Sequence, residues 1–475
     1  MGALAALLKH QGFTVTGSDG PLYPPMSLFL EAQQIPLKAS YGAENLRGDT
    51  WGLPETQPDL IVIGNAISRG NLEAQEAERL AADGKSRRVS FAQGLAEFCI
   101  GEKRSFVVCG THGKTSTTSL FAWALEVLQQ KPGFFIGGIP GNFGEGCRVG
   151  AGNVFVSEGD EYDTAYWDKE SKFLHYRPSW TLCTGIEFDH ADIFKDLPAV
   201  EAAFLKLVPK TREGWVLVDD ESAPRADCVR KVADAVKLQG IKLLRYGFMP
   251  GADLRILAAE PEEGGMRVKL QFKGQSEVSL WTPQTGRHNA LNLAGVLCTL
   301  HAAGLLPRLE DAQPLLRSFK GIKRRQEEVY RSDRLTVIDD FAHHPTAIRE
   351  TISAIRSRYP GAKLAAFFEP RSATSARNVL AKDFGACFQG ADAVFLVPPT
   401  KTNVPQDEKL DIQAVARDVA AGGGEVQVEP DVSRLASLFE DWRARQPMGV
   451  PSVALVMSNG SFGGLHGMLA ARDKH

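Results

Sequence analysis

Short apolar runs that give way at once to glycine, acidic or other polar residues recur along this chain, and helix-period patterns follow several of them. The sharpest case is Phe106–Cys109, an apolar run that reads as a buried strand. Gly110 and Gly113 punctuate the turn after it. Leu120, Trp123, Ala124, Val127 and Leu128 then repeat with helical spacing. Asn153–Ser157, Trp180–Ile186, Trp215–Val218, Leu335–Ile338, Leu364–Phe368, Ala393–Val397 and Val453–Met457 read as further strands, and Arg267–Phe272 alternates as a half-exposed one. A helix is expected from Gly286 through Leu300, with Asn289 placed to cap it.

Upstream, Met1–Gly12 reads as a helix closed by its glycine, Phe13–Asp19 as a strand ending in an acid, and Asp59–Asn65 as another parallel strand. This is the second half of a dinucleotide-type β-α-β unit, whose first strand and glycine loop would precede Met1. Lys131–Phe143, rich in Gly and Pro, reads as a surface segment suited to a substrate loop. Strands alternating with helices predict an α/β protein, and 475 residues allow about three domains. The breaks fall at the polar stretch 101–105 and near Gly321, giving units 1–102, 103–321 and 322–475.

Composition narrows the classes. Hydrophobic content of 43% and charged content of 23% fit a globular protein with sizeable cores. A net charge of −3 and the lack of a basic tract argue against a nucleic-acid partner. Seven cysteines without any C-x-x-C pairing suggest neither a disulfide framework nor a zinc site. No uninterrupted apolar run of about 18 residues is present, and no signal-peptide pattern opens the chain, so a cytoplasmic protein without a membrane partner is expected.

The candidate chemistry gathers at strand ends. Gly110-Thr-His-Gly-Lys-Thr-Ser116, set between a strand and a helix, is an anion site: free backbone N–H groups and the helix dipole face a phosphate. Lys114 can reach terminal phosphates and the Thr115 hydroxyl can ligate Mg²⁺. The loop is shorter than the standard G-x-x-x-x-G-K-[ST], because Val108 holds the first glycine position. Glu158, Asp160, Glu161 and Asp163 follow the strand at 153–157, with Glu158 the expected metal ligand, since Mg²⁺ prefers hard oxygen donors. Glu187, Asp189, His190 and Asp192 follow the next strand, and His190 stands out among those acids. Asn292 could offer its amide to a base edge. Lys323, Arg324 and Arg325 sit at the second break, able to bring a guanidinium onto a phosphate. Asp339, Asp340, His343 and His344 end the strand at 335, with Pro345 suited to the first helical position. A nucleotide-driven kinase or switch would leave 339–345 and 369–371 without a role.

Taken in order, G-T-H-G-K-T-S, S-E-G-D-E-Y-D, E-F-D-H-A-D, G-x-H-N-x-x-N, the Arg-Arg pair and D-D-F-A-H-H-P make a chain that resembles the Mur ligase family of ATP-dependent amide-forming ligases over essentially its whole length. The resemblance implies a three-domain architecture: a Rossmann-like first unit lacking its opening strand, a central P-loop ATPase-like unit and a Rossmann-like third unit. It implies ATP and Mg²⁺ as cofactors. Gly110, Thr111, His112, Gly113, Lys114, Thr115 and Ser116 would hold the ATP phosphates. Thr115 and Glu158 would ligate one Mg²⁺, and His190 would reach a second. Asn292 would contact adenine, Arg325 the phosphates and Asp340 the ribose. His343, His344 and Arg371 would face an incoming peptide, and Ser18, Asp19 and Asn65 the UDP portion. Lys114, His190, Arg325, His343 and His344 would then form the catalytic group. Where some relatives carry a carbamylated lysine, this chain has Phe204 and Leu205, with only Lys206 nearby.

Tyr23–Met26, Ile63–Ala66, Pro132–Phe143, Phe188–Phe194, Glu369–Ser372 and Met457–Gly460 are similar to those members that join UDP-N-acetylmuramate to the murein tripeptide L-alanyl-γ-D-glutamyl-meso-diaminopimelate. The alternative within the family is a ligase taking L-alanine alone. Either would act on small molecules, as a monomer or weak homo-oligomer.

Overall fold

The computed structural model describes residues 1–22, 26–219, 226–400 and 404–474. Tyr23, Pro24 and Pro25, part of the Tyr23–Met26 stretch, lie outside the described residues. A ten-stranded sheet organises the centre of the chain. Its order is Glu277–Thr282, Gly265–Phe272, Leu254–Glu262, Lys242–Gly247, Gly214–Val218, Trp180–Cys183, Arg104–Cys109, Val154–Glu158, Gly133–Phe135 and Cys147–Arg148. The strands from Leu254–Glu262 inward to Gly133–Phe135 pair in parallel, and antiparallel strands finish both edges. Phe106, Val107, Val108 and Cys109 are fully buried, as expected of a parallel strand covered on both faces.

Register decides where the chemistry lands. Cys183 lies opposite Cys109, and Glu158 lies opposite Val108. The strand ends at Cys109, Glu158 and Cys183 are therefore level, and the Gly110 loop, Glu158 and the Thr184–His190 segment emerge along one edge. That is the edge at which open parallel sheets bind ligands.

A second, six-stranded sheet follows, in the order Glu327–Arg331, Leu335–Asp340, Ser452–Met457, Lys363–Phe368, Ala393–Leu396 and Glu425–Val428. Only its first pair is antiparallel. The last strand in sequence, Ser452–Met457, inserts between the second and third, so a crevice opens at the carboxyl ends of 335–340 and 363–368. Asp340 and Phe368 both sit opposite Met457, which aligns Asp340, Glu369 and Ser458 at that edge.

The first hundred residues hold two small parallel pairs, Gly17–Ser18 with Leu37–Lys38 and Leu60–Ile63 with Arg87–Ser90. The opening helix Gly2–His10 ends before Gly12, which takes a φ of +92°. Its Leu4, Leu7 and Leu8 join Phe91 and Leu95 in the same core as the central sheet.

Four expectations need correction. The strand expected over 13–19 is only Gly17–Ser18; Phe13 turns to the surface and meets Phe98 edge-on at 5.7 Å. The segment 131–143 is not wholly a surface loop, because Gly133–Phe135 is a sheet strand with Phe134 fully buried beside Phe143. The strand begun at Trp180 stops at Cys183, since Thr184 and Gly185 turn to bond the phosphate loop. Asn289 does not cap its helix: Gly286 holds the cap position, and the Asn289 amide donates to the Thr285 carbonyl at 2.8 Å.

Among the described residues all seven cysteines are buried and free. No described helix is long and apolar enough to cross a membrane. Phe204 is buried against Phe173, while Lys206 pairs with Glu170 at 2.8 Å on the surface.

Candidate nucleotide and ligation site

The phosphate loop is built by two glycine conformations. Gly110 takes φ +125° and Gly113 φ +78°, both in the region that side chains avoid. A Cβ on Gly113 would sit 2.8 Å from the Asn292 Oδ1, so the close approach of loop and helix also demands glycine there. Thr111 anchors the loop: its N–H donates to the Gly185 carbonyl at 2.8 Å, and its hydroxyl accepts from the Glu187 N–H at 2.8 Å. The helix Lys114–Val127 starts from Gly113 with no side-chain cap, which leaves its first N–H groups for an anion.

Lys114 and Thr115 then meet the acids. The Lys114 ammonium donates to both Glu161 oxygens at 2.8 and 2.9 Å and to the Gly110 carbonyl at 2.7 Å. The Thr115 hydroxyl donates to Glu158 Oε1 at 2.8 Å, while the Gly137 N–H donates to Oε2 at 2.8 Å. Thr115 and Glu158 thus form an adjacent pair of hard oxygen donors, the set a Mg²⁺ ion prefers. His190, held at φ +57°, meets Glu161 through Nε2 at 2.9 Å and lays its ring against Tyr162 at 4.3 Å. Burial pushes the Glu161 carboxyl up, but Lys114 and His190 override it and bring it down to about 2. Asp189 is likewise opposed by burial and is held below the usual carboxylate range by His190 and the neighbouring histidines.

All of these groups except Glu161 and Gly110 face a cleft of about 690 Å³. Lys114, Thr115, Glu158 and His190 line it from the central unit, Asn65 from the first, and Arg325, His343 and His344 from the third. An adjoining cavity of about 170 Å³ is lined by His112, Gly113, Asn292, Arg325 and Asp340. Asn292 is buried there, 3.3 Å from Asn289 Oδ1. The Asp340 carboxylate accepts from the Gln326 N–H at 2.8 Å and the Ala342 N–H at 2.7 Å, and retains lone pairs for another donor.

The two arginines at the hinge separate in role. Arg324 donates to the Ser458 and Gly460 carbonyls and sits 3.3 Å from Asp339, so it ties the hinge to the third unit. Arg325 stacks on Phe341 at 4.6 Å and faces both cavities, with no hydrogen bond from its guanidinium among the described residues. Four other expected residues, Gly110, Ser18, Asp19 and Arg371, lie outside both linings. Ser18 donates to Glu73, Asp19 accepts from Tyr41 at 2.6 Å, and Arg371 is half-exposed, 3.9 Å from Glu369.

Thr346 and Thr374 carried no sequence signal of their own, and Glu187 and His288 stood out only as members of longer motifs. His288 lines the smaller cavity with Nδ1 unpartnered, and burial holds it down to about 4. Glu187 joins the units: it meets His112 at 2.9 Å and accepts from the Thr346 hydroxyl at 3.2 Å. His344 packs its ring on His112 at 4.6 Å, and Thr374 accepts from the Ala191 N–H at 3.2 Å. Among the described residues His112, Glu187 and His344 are the one trio of His and acidic ligand atoms within 4.8 Å. The Nδ1 lone pair of His344 is already spent on the Thr346 N–H at the head of helix Pro345–Arg358, so the trio reads as a contact between units rather than an ion cage.

Family models match in three successive blocks. The Mur ligase family catalytic domain covers residues 1–98, the Mur ligase middle domain 108–300 and the Mur ligase glutamate ligase domain 324–460. The Escherichia coli K12 UDP-N-acetylmuramate–L-alanyl-γ-D-glutamyl-meso-2,6-diaminoheptandioate ligase is 36% identical over 98% of this chain and 94% of its own. A UDP-N-acetylmuramate–L-alanine ligase of Salinispora arenicola is 32% identical over 78% of this chain and 67% of its own. A solved murein peptide ligase from Psychrobacter arcticus superposes with a TM-score of 0.65 at 28% identity, covering 99% of this chain and 96% of that one. With the three-domain fold, the phosphate loop and the facing acids in place, the chain belongs to the Mur ligase family, the ATP-dependent ligases that form C–N bonds.

Proposed function

We propose that this chain joins UDP-N-acetylmuramate to the tripeptide L-alanyl-γ-D-glutamyl-meso-diaminopimelate at the expense of ATP. Residues 1–102 serve as the sugar-nucleotide unit, 103–321 as the ATP unit and 322–475 as the acceptor unit. The observation that carries the reading is one cleft lined together by Lys114, Thr115 and Glu158 and by Arg325 and His343 of the third unit.

The chemistry follows from those groups. A carboxylate is a poor acyl donor, because its oxygen is a poor leaving group. Transfer of the γ-phosphoryl group onto the muramic carboxylate makes an acyl phosphate that the peptide's α-amine can attack, releasing phosphate and forming the amide. Lys114, the loop N–H groups and Arg325 stabilise charge spreading over the transferred oxygens. Thr115 and Glu158 would hold Mg²⁺, with His190 reaching a second ion; the metal, when bound, supplies further charge neutralisation on the phosphates. Asn292 and Asp340 hold the base and ribose in the smaller cavity, and the docked third unit excludes water from the acyl phosphate. His343 and His344 bound the acceptor side.

The test is an oxygen-transfer assay. With ¹⁸O in the muramic carboxylate, the reading predicts one labelled oxygen in the released phosphate and an amide product of the tripeptide adduct mass. Unlabelled phosphate, or no adduct, would contradict it. Lys114→Ala is expected to lower turnover by about 10²–10³-fold.

A further inference from the structure

Glu161 sits behind the cleft rather than in its wall. It is 3% exposed and absent from the lining of both cavities. Yet it touches two residues that do face the cleft, accepting from the Lys114 ammonium at 2.8 and 2.9 Å and contacting His190 Nε2 at 2.9 Å. A buried carboxylate held by an ammonium accepts hydrogen bonds, so the imidazole nitrogen that meets it is the donor. It therefore fixes the His190 tautomer. Nε2 carries the proton, and Nδ1, which makes no hydrogen bond among the described residues, is the nitrogen left with a free lone pair. The ring cannot turn away easily. Tyr162 packs on it at 4.3 Å, the His190 backbone is at φ +57°, and the Asp189 carboxylate accepts its N–H at 2.7 Å.

The geometry points to Glu161 as a positioning residue that orients His190 Nδ1 toward a divalent cation in the cleft and holds the Lys114 ammonium beside it. Such a carboxylate–histidine–metal relay sets ligand orientation and basicity, and its loss costs about 10–100-fold in metal affinity where it has been removed. The inference rests on the cleft as a nucleotide and metal site, and it does not depend on which acceptor is ligated.

Mn²⁺ titration by electron paramagnetic resonance, on the full chain with a non-hydrolysable ATP analogue, reads the effect without turnover. Glu161→Gln is expected to weaken Mn²⁺ binding about tenfold or more, while binding of the analogue in EDTA changes less than threefold, a split that general loosening of the fold would not produce. Because Glu161→Gln strands a buried ammonium, a second pair guards the test: Lys114→Met with Glu161→Gln is expected to bind Mn²⁺ about tenfold more weakly than Lys114→Met alone. Equal Mn²⁺ affinity across either pair overturns the proposal. Parallel loss of analogue and Mn²⁺ binding overturns it as well. Failure of the unsubstituted chain to bind Mn²⁺ with the analogue overturns the metal-site reading, and this proposal with it.

Discussion

Thr346, at the head of a third-unit helix, donates its hydroxyl to Glu187 of the central unit at 3.2 Å, on the carboxylate oxygen opposite the one that meets His112 at 2.9 Å. One carboxylate thus links the phosphate loop to the unit that must close over it. Thr346→Val keeps the shape and removes the donor. A hydrogen bond to a charged group contributes about 1.5–3 kcal/mol, so turnover should fall by roughly tenfold or more, and the radius of gyration in solution scattering should rise. Unchanged turnover and scattering would show that the contact does not hold the units together.

His344 gives a pH dependence with a definite sign. Burial first, and then the neighbouring His112, bring it from 6.5 down to about 4. As pH falls from about 6.5 to about 4, the unfolded chain takes a proton at this position that the folded chain refuses. The stability contributed by the neutral ring is full above pH 6.5 and is lost toward pH 4. His344→Asn preserves the helix cap, since asparagine caps well, and removes the titration. Its melting temperature should fall less between pH 7 and pH 4 than that of the unsubstituted chain; parallel pH curves would contradict the assignment.

Gly113→Ala meets two obstacles, the φ of +78° and the Asn292 Oδ1 at 2.8 Å from the new methyl. The left-handed conformation alone costs about 1–2 kcal/mol. ATP-analogue affinity, measured by calorimetry, should drop by about tenfold or more. Wild-type affinity would mean that the loop rearranges on binding.

The adjacent arginines should part under mutation. Arg325→Ala removes a side chain that faces the cavities and should lower turnover with little change in melting temperature. Arg324→Ala removes donors to the Ser458 and Gly460 carbonyls and should lower the melting temperature. The reverse pattern would exchange their roles.

What could be read from sequence was what is local. The strand, glycine turn and helix at 106–118 stand together in the chain, so that loop was legible, as were Glu158 at a strand end and His190 in the segment that follows one. The Glu187–Thr346 contact spans 159 residues and leaves no pattern in either segment. Glu161 was visible only as one acid among four, because its distinction is to be buried under Lys114 and His190. The strand expected at 13–19 shrank because alternation alone does not supply a pairing partner: only Gly17 and Ser18 find one, at Leu37 and Lys38. Asn289 was misplaced as the cap by three residues, because the helix already starts from Gly286.

The most direct test of the central claim is phosphate release from ATP with Mg²⁺ and UDP-N-acetylmuramate, comparing the tripeptide, L-alanine and no acceptor. The account predicts release with the tripeptide, matched by the adduct in mass spectra, and background release with the other two. Release with L-alanine in place of the tripeptide would contradict it and assign the chain to the L-alanine-adding members of the family.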